Sequence, residues 1–157
     1  MQQKQAHGAL AAAIASPGLQ RSDKWPGVEK AHLQQEPACV VCGSQQNLQV
    51  HHVLPFHFCI LLGRPELELD QRNLITLCEG TTNHHLLLGH LDDWETYNQD
   101  VRSDVAGHFK GMQEAQIQTD SVWLQKKANR PPVWANMTDD QKTKFKLLMD
   151  TLYPPQP

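Results

Sequence analysis

Two pairs of adjacent histidines, in "LQVHHVLP" (48–55) and "LCEGTTNHHLLLGH" (77–90), carry most of the chemistry available to this chain. Six of the nine histidines (His51, His52, His57, His84, His85 and His90) fall between positions 51 and 90. A neutral imidazole is a metal ligand, and its ordinary pKa of about 6.5 also makes it the usual general base at neutral pH. Neighbouring side chains on a strand point to opposite faces, so His51 and His52 cannot share one task. One can ligate a metal while the other faces a water. Both serve a single site only if the strand ends or bends nearby, and Pro55 is consistent with that.

The cysteines supply a second chemistry. "CVVCG" sets Cys39 and Cys42 at the spacing that lets two thiolates reach one tetrahedral zinc. A redox motif shares this spacing, but it opens a helix after a strand, and "EPACVVCGSQQN" reads as a turn with Gly43. A structural zinc needs four ligands, and the remaining candidates are Cys59, Cys78 and His84. Cys78 and His84 make a second, wider knuckle. Cys59 sits inside "FHFCILL", where a buried inert thiol is the commoner role, so the preferred set is Cys39, Cys42, Cys78 and His84, with Cys59 as the alternative.

Helix geometry divides the second histidine pair in the same way. Neighbours on a helix stand about 100° apart, so His84 can close the knuckle while His85 turns toward His51 and His52. His90 follows His85 by five residues, whereas two ligands from one helix sit best at i, i+4. His90 joins the site only if the helix is distorted at Gly89. His57 is read as a half-buried structural histidine.

These residues need elements to hold them. Ser22 or Asp23 is expected to cap a helix through about residue 35, with Trp25, Val28 and Leu33 in the core. Residues 48–55 and the apolar run "LITLC" read as strands, with "GRPELELDQRN" as a long loop between them. Trp94, Tyr97, Val101, Val105, Phe109 and Met112 recur at three and four residues, the spacing of one amphipathic helix. "LQKKANRPPVWA" reads as linker. Thr138 with Gln141 matches a capping box, and Phe145, Leu148, Met149 and Leu152 form the stripe of a last helix.

The totals bound the rest. A chain of 157 residues, 39% hydrophobic and 6% aromatic, makes one domain with a lean core that a metal staple would help. The net charge of −3 excludes a strongly basic nucleic-acid binder, so any such binding is local or metal-assisted. The alanine-rich run in "KQAHGALAAAIASPG" lacks the leucine of a secretory signal, and residues 1–20 are expected to be a flexible leader. No stretch approaches the ~20 apolar residues of a membrane span. Thiols without an export signal point to the reducing cytoplasm. No GxSxG elbow or P-loop offers another catalytic class.

The order "CVVCG", "VHHVLP", "NLITLC", "HHLLLGH" resembles the HNH endonucleases, especially phage-type members with a zinc-stapled ββα-metal core, over about residues 20–100. The resemblance implies an α+β fold with an HNH domain over 21–116 and a helical extension over 117–157. It implies that His51 and His85 bind a catalytic divalent ion (Mg, Mn, Ni or Zn), with His90 as a further ligand. It makes His52 the general base and Asn73 the residue that orients it. The implied reaction is hydrolysis of DNA phosphodiesters in a bacterial host cell, in a phage or prophage setting beside terminase subunits. Between residues 31 and 109 the only cations are Arg64, Arg72 and Arg102, which makes the metal more necessary for neutralising phosphate. "KKANR" (126–130) and "KTKFK" (142–146) are further candidates for backbone contact. The competing class is a zinc-stabilised nucleic-acid-binding or interaction module without cleavage.

Overall fold

Leu48–His52 (β1) and Leu74–Cys78 (β2) pair antiparallel in a two-stranded sheet, in a computed structural model that describes residues 19–157. The leader expected over residues 1–20 falls almost wholly outside that range. In the register Val50 faces Thr76, His51 faces Ile75 and His52 faces Leu74, so opposed pairs alternate between the two faces of the hairpin. An isolated hairpin is marginal in water, and here each face is covered by a different element.

The face of Val50, Thr76 and His52 is covered by Trp25–Gln35 (α1). Glu36, just past the helix end, accepts from the Thr76 N–H and from its hydroxyl, which ties α1 to β2. Trp25, Val28 and Leu33 are only half-buried, and the buried residue of α1 is His32, whose Nδ1 lies 2.7 Å from Gln71 Oε1. Neither Ser22 nor Asp23 caps the helix by its side chain. The N-cap position is Lys24 and the first turn is closed by the Ser22 carbonyl.

The opposite face, with His51, Ile75 and Leu77, packs on a π-helical segment, His85–Gly89. Ile75, Leu77, Leu87, Leu88, Val101, Val105, Phe109, Ile117 and Trp123 form the first core there. Each such side chain contributes roughly 1.5–3 kcal/mol by leaving water. Trp123 Nε1 donates to the Leu87 carbonyl at 2.8 Å, so its polar atom is not stranded. The second core lies beyond the hairpin end. Phe58, Cys59, Leu67 and Tyr97 meet Phe145, Met149 and Tyr153 there. Residues 117–157 therefore contribute to both cores.

Three expectations change. The stripe from Trp94 to Met112 is not one helix: only Val101–Ala106 (after Phe56–Leu61, α2, this is α3) is helical. Leu91 and Asp92 take left-handed φ of 50° and 66°, and α3 stops at Gly107, so the chain turns before and after it. Tyr97, Val101, Val105 and Phe109 are buried all the same. The linker reading fails in its first half, because Glu114–Gln118 (α4) is followed by Ser121–Ala128 (α5), capped by Asp120 and anchored by buried Trp123. The last helix, Asp139–Leu152 (α6), carries the Thr138–Gln141 capping box and buries Phe145 and Met149, whereas Leu152 is exposed. Among the described residues, no helix is long and apolar enough to cross a membrane.

Candidate metal centre

Cys39, Cys42, Cys78 and His84 bring their donor atoms within 4.8 Å of one another, close enough to hold a metal ion. The knuckle turn closes with Cys39 bonded to Ser44 and Gly43 to Cys39, and Gly43 takes φ 75°, where a side chain would be strained. Cys78 ends β2. Cys42 Sγ lies 3.9 Å from Cys78 Sγ, and His84 Nδ1 lies 3.3 Å from Cys78 Sγ and 3.7 Å from Cys39 Sγ. Bonds of about 2.3 Å to sulfur and 2.0–2.1 Å to nitrogen in a tetrahedron give S···S of about 3.8 Å and S···N of about 3.5 Å. The cluster matches these spacings.

The His84 ring is oriented from behind. Its Nε2–H donates to the Met112 carbonyl at 2.8 Å, which leaves Nδ1 with the lone pair that faces the sulfurs. The hydrogen bond with Cys78 lowers the pKa of Cys39 well below that of a free thiol, and sharing that proton raises Cys78. Cys59 is not part of this cluster. It lies in the second core, where burial pushes its thiol up to about 12. Of the two candidates for the fourth position, His84 is the one that lies within reach of the other three donors.

His51, His85 and His90 form a second cluster, also within 4.8 Å. His85 Nε2 lies 3.1 Å from His51 Nδ1 and 3.2 Å from His90 Nε2. His85 Nδ1 donates to Glu79 Oε2 at 2.9 Å, and His90 Nδ1 donates to the Thr96 carbonyl at 2.7 Å. In the neutral rings, both Nε2 atoms therefore present lone pairs to each other, an arrangement that a cation between them satisfies. Two bonds of about 2.1 Å to one ion at tetrahedral or octahedral angles separate the nitrogens by about 3.0–3.4 Å. The donors fit such an ion.

The π-helix explains how His90 arrives. Its i→i+5 pattern widens one turn, so residues five apart come onto one side. Gly89 matters in the same turn. A Cβ there would stand 3.0 Å from His51 Cε1 and 3.2 Å from both ring nitrogens. Trp94 closes the side of the cluster, its ring 5.1 Å from His85 and 4.9 Å from His90 between centroids.

His52 occupies the other face of the hairpin. Its ring packs 4.7 Å from Trp25 and 5.7 Å from Phe56, and Nε2 donates to the Glu68 carbonyl at 2.8 Å. A carbonyl only accepts, so the neutral ring keeps its lone pair on Nδ1. Asn73 was expected to orient this ring. Its Nδ2 protons instead go to the carbonyls of Leu54 and Leu67, and its Oδ1 accepts from the Leu54 N–H. Asn73 thus pins the loop that carries Glu68, and acts on His52 through backbone. His57, half-buried on α2, is held down at about 4 by burial and by the nearby Arg21 charge.

The three core arginines are used within the chain. Arg64 bonds Glu66, Asp150 and the Tyr153 carbonyl; Arg72 bonds Asp70 and the Pro154 carbonyl; Arg102 bonds the carbonyls of Arg72 and Leu74. Four lysines of the two cationic runs are ion-paired: Lys126 with Asp100 and Asp104, Lys127 with Asp92, Lys144 with Asp140, Lys146 with Asp150; Arg130 donates to the Leu91 carbonyl and Lys142 lies over the Trp134 ring.

Glu79 and the carbonyls of Glu68, Thr96 and Met112 carry no sequence signal, since each meets its histidine through loop closure. No protein-family model, no curated protein and no solved structure matches the chain.

Proposed function

We propose that this chain is a metal-dependent endonuclease that hydrolyses DNA phosphodiesters, and that its first cluster holds structural zinc. One observation carries the reading: three imidazoles converge, His85 and His90 with their lone pairs turned inward, one residue along the strand from a fourth imidazole whose tautomer is fixed by a carbonyl. A donor set made of imidazoles suits Zn or Ni better than Mg or Mn, which favour oxygen ligands. When bound by His51 Nδ1, His85 Nε2 and His90 Nε2, a divalent ion supplies positive charge at a phosphate oxygen.

The chain's own residues supply the rest. His52 takes a proton at Nδ1 from the attacking water, while Glu68 holds the ring and Asn73 holds the loop. Glu79 and Thr96 keep the protons of His85 and His90 on the far side of their rings. Serving one phosphate from both faces requires the strand to lie across the end of β1, where the ladder stops at His52 and Leu74.

The test is plasmid cleavage with Zn²⁺, Ni²⁺, Mn²⁺ and Mg²⁺ and with EDTA, comparing wild type with His52→Ala. The expected result is cleavage that EDTA abolishes and that falls roughly 10²–10⁴-fold in the variant, with two metals still bound. Equal cleavage by the variant removes His52 from the role. A metal-loaded wild type that cuts nothing leaves the non-cleaving module as the better reading.

A further inference from the structure

We propose that Arg21 receives a phosphate of the bound nucleic-acid strand beside His52, held for that role on a shelf formed by Trp25 and Phe56. This assignment rests on the endonuclease reading above and adds the cation which that reading otherwise lacks.

The guanidinium carbon of Arg21 lies 4.7 Å from the centre of the Trp25 ring and 4.2 Å from that of Phe56. The same two rings pack against His52. Glu68 completes the link, since its carbonyl accepts the His52 Nε2–H hydrogen bond and its carboxylate faces Arg21 at 3.9 Å. Cation and imidazole are thus fixed to one small frame at the end of β1.

Arg21 also differs from the other arginines. The chain has five, and Arg64, Arg72, Arg102 and Arg130 all donate hydrogen bonds inside the fold. Among the described residues Arg21 donates none; of the two carboxylates that act on its charge, Glu68 stands at the long end of ion-pair range while also accepting the Ser22 N–H, and Glu29 forms no ion pair with it. A guanidinium that lies over aromatic rings uses its faces and keeps its in-plane N–H groups for oxygens, the geometry that suits phosphate. Its side chain is 37% exposed, so a strand can reach it. Burial pushes its pKa down, against the fields of Glu68 and Glu29, which raise it.

A purely structural cation on two rings would show the same contacts, so the test uses a readout that such a role does not move. Full-length, metal-loaded protein is assayed on an oligonucleotide and on copies carrying one neutral methylphosphonate at successive positions near the cut. Wild type is expected to lose at least tenfold in kcat/KM at one position. In Arg21→Ala and Arg21→Gln that position becomes indifferent, KM on the unmodified strand rises about tenfold, and the log–log salt slope of binding falls by about one.

Variants that keep the wild-type KM, salt slope and methylphosphonate penalty overturn the assignment. The nuclease reading fails separately, if wild type cuts nothing with any metal. Strand binding by fluorescence anisotropy then decides Arg21 alone: weaker binding of Arg21→Ala upholds its phosphate contact, and unchanged binding removes it.

Discussion

His85 and His90 stand five residues apart in the chain and 3.2 Å apart at Nε2, a closeness that a regular α-helix does not give and the π-helical turn does. The turn leaves no room at Gly89, where any side chain meets the His51 ring. Gly89→Ala is expected to displace His51, lower the metal count by one and leave the Cys/His cluster loaded. Overpacking of this kind costs about 1–3 kcal/mol. Elemental analysis beside a denaturation curve measures both, and a variant that retains two metals contradicts the packing account.

Glu79 acts on the same cluster from outside. Its carboxylate accepts the His85 Nδ1–H hydrogen bond in a buried pair. Glu79→Gln keeps the shape but offers a weaker acceptor, and affinity of the trio for Zn²⁺ or Ni²⁺ should fall roughly 10–100-fold. Competition with a chromophoric chelator reads this directly. Unchanged affinity would mean that His85 is held by packing alone.

The cysteines make a cleaner contrast. Cys42→Ser removes a donor from the Cys/His cluster, and binding at such a site is folding free energy, so the melting transition should drop sharply or vanish. Cys59→Ser swaps a buried, protonated thiol in the other core and should keep the metal count of wild type, with a destabilisation of only about 1–2 kcal/mol. Loss of metal in the Cys59 variant would reassign the fourth ligand.

Asn73 makes three buried hydrogen bonds to the backbone of Leu54 and Leu67. Asn73→Ala strands those groups at about 1–3 kcal/mol each, so the fold should lose roughly 3 kcal/mol or more. Asn73→Asp should do no better, since a carboxylate cannot donate to two carbonyls. Urea midpoints of the two variants test the clamp; a stable Asn73→Ala protein with lost cleavage would instead assign Asn73 to the chemistry.

His57 gives a pH signature. Its folded-state pKa of about 4 lies below the unfolded value of 6.5. The unfolded chain therefore takes up the proton first, and stability present above pH 6.5 is lost as pH falls toward 4. The contribution is at most about 3 kcal/mol. His57→Gln should flatten this part of the stability profile relative to wild type at equal metal loading, and an unchanged slope would assign the acid sensitivity to other groups.

Much of the candidate site was legible because donor chemistry is written in residue types: the Cys39–Cys42 knuckle, the His51–His52 alternation and the division between His84 and His85 need only spacing and strand or helix periodicity. The participation of His90 was legible only as a condition, since the regular i, i+4 spacing of a helix gives no sign of the π-turn that brings it to His85. Tertiary context also overrode the stripe from Trp94 to Met112: its apolar positions are buried, but left-handed Leu91 and Asp92 turn the chain before a helix can run. His32 was read past because its burial depends on Gln71, 39 residues away. Trp123 was missed for a simpler reason: it is the one buried residue of its helix, set between the exposed Val122 and Leu124, so the apolar positions show no helical period.

His84 and His85 belong to different clusters, yet one peptide plane joins them. The span between the two centres is therefore a ruler made of covalent bonds. Substitutions that loosen either core change how often the chain is folded, but they cannot stretch that span while both rings stay in place.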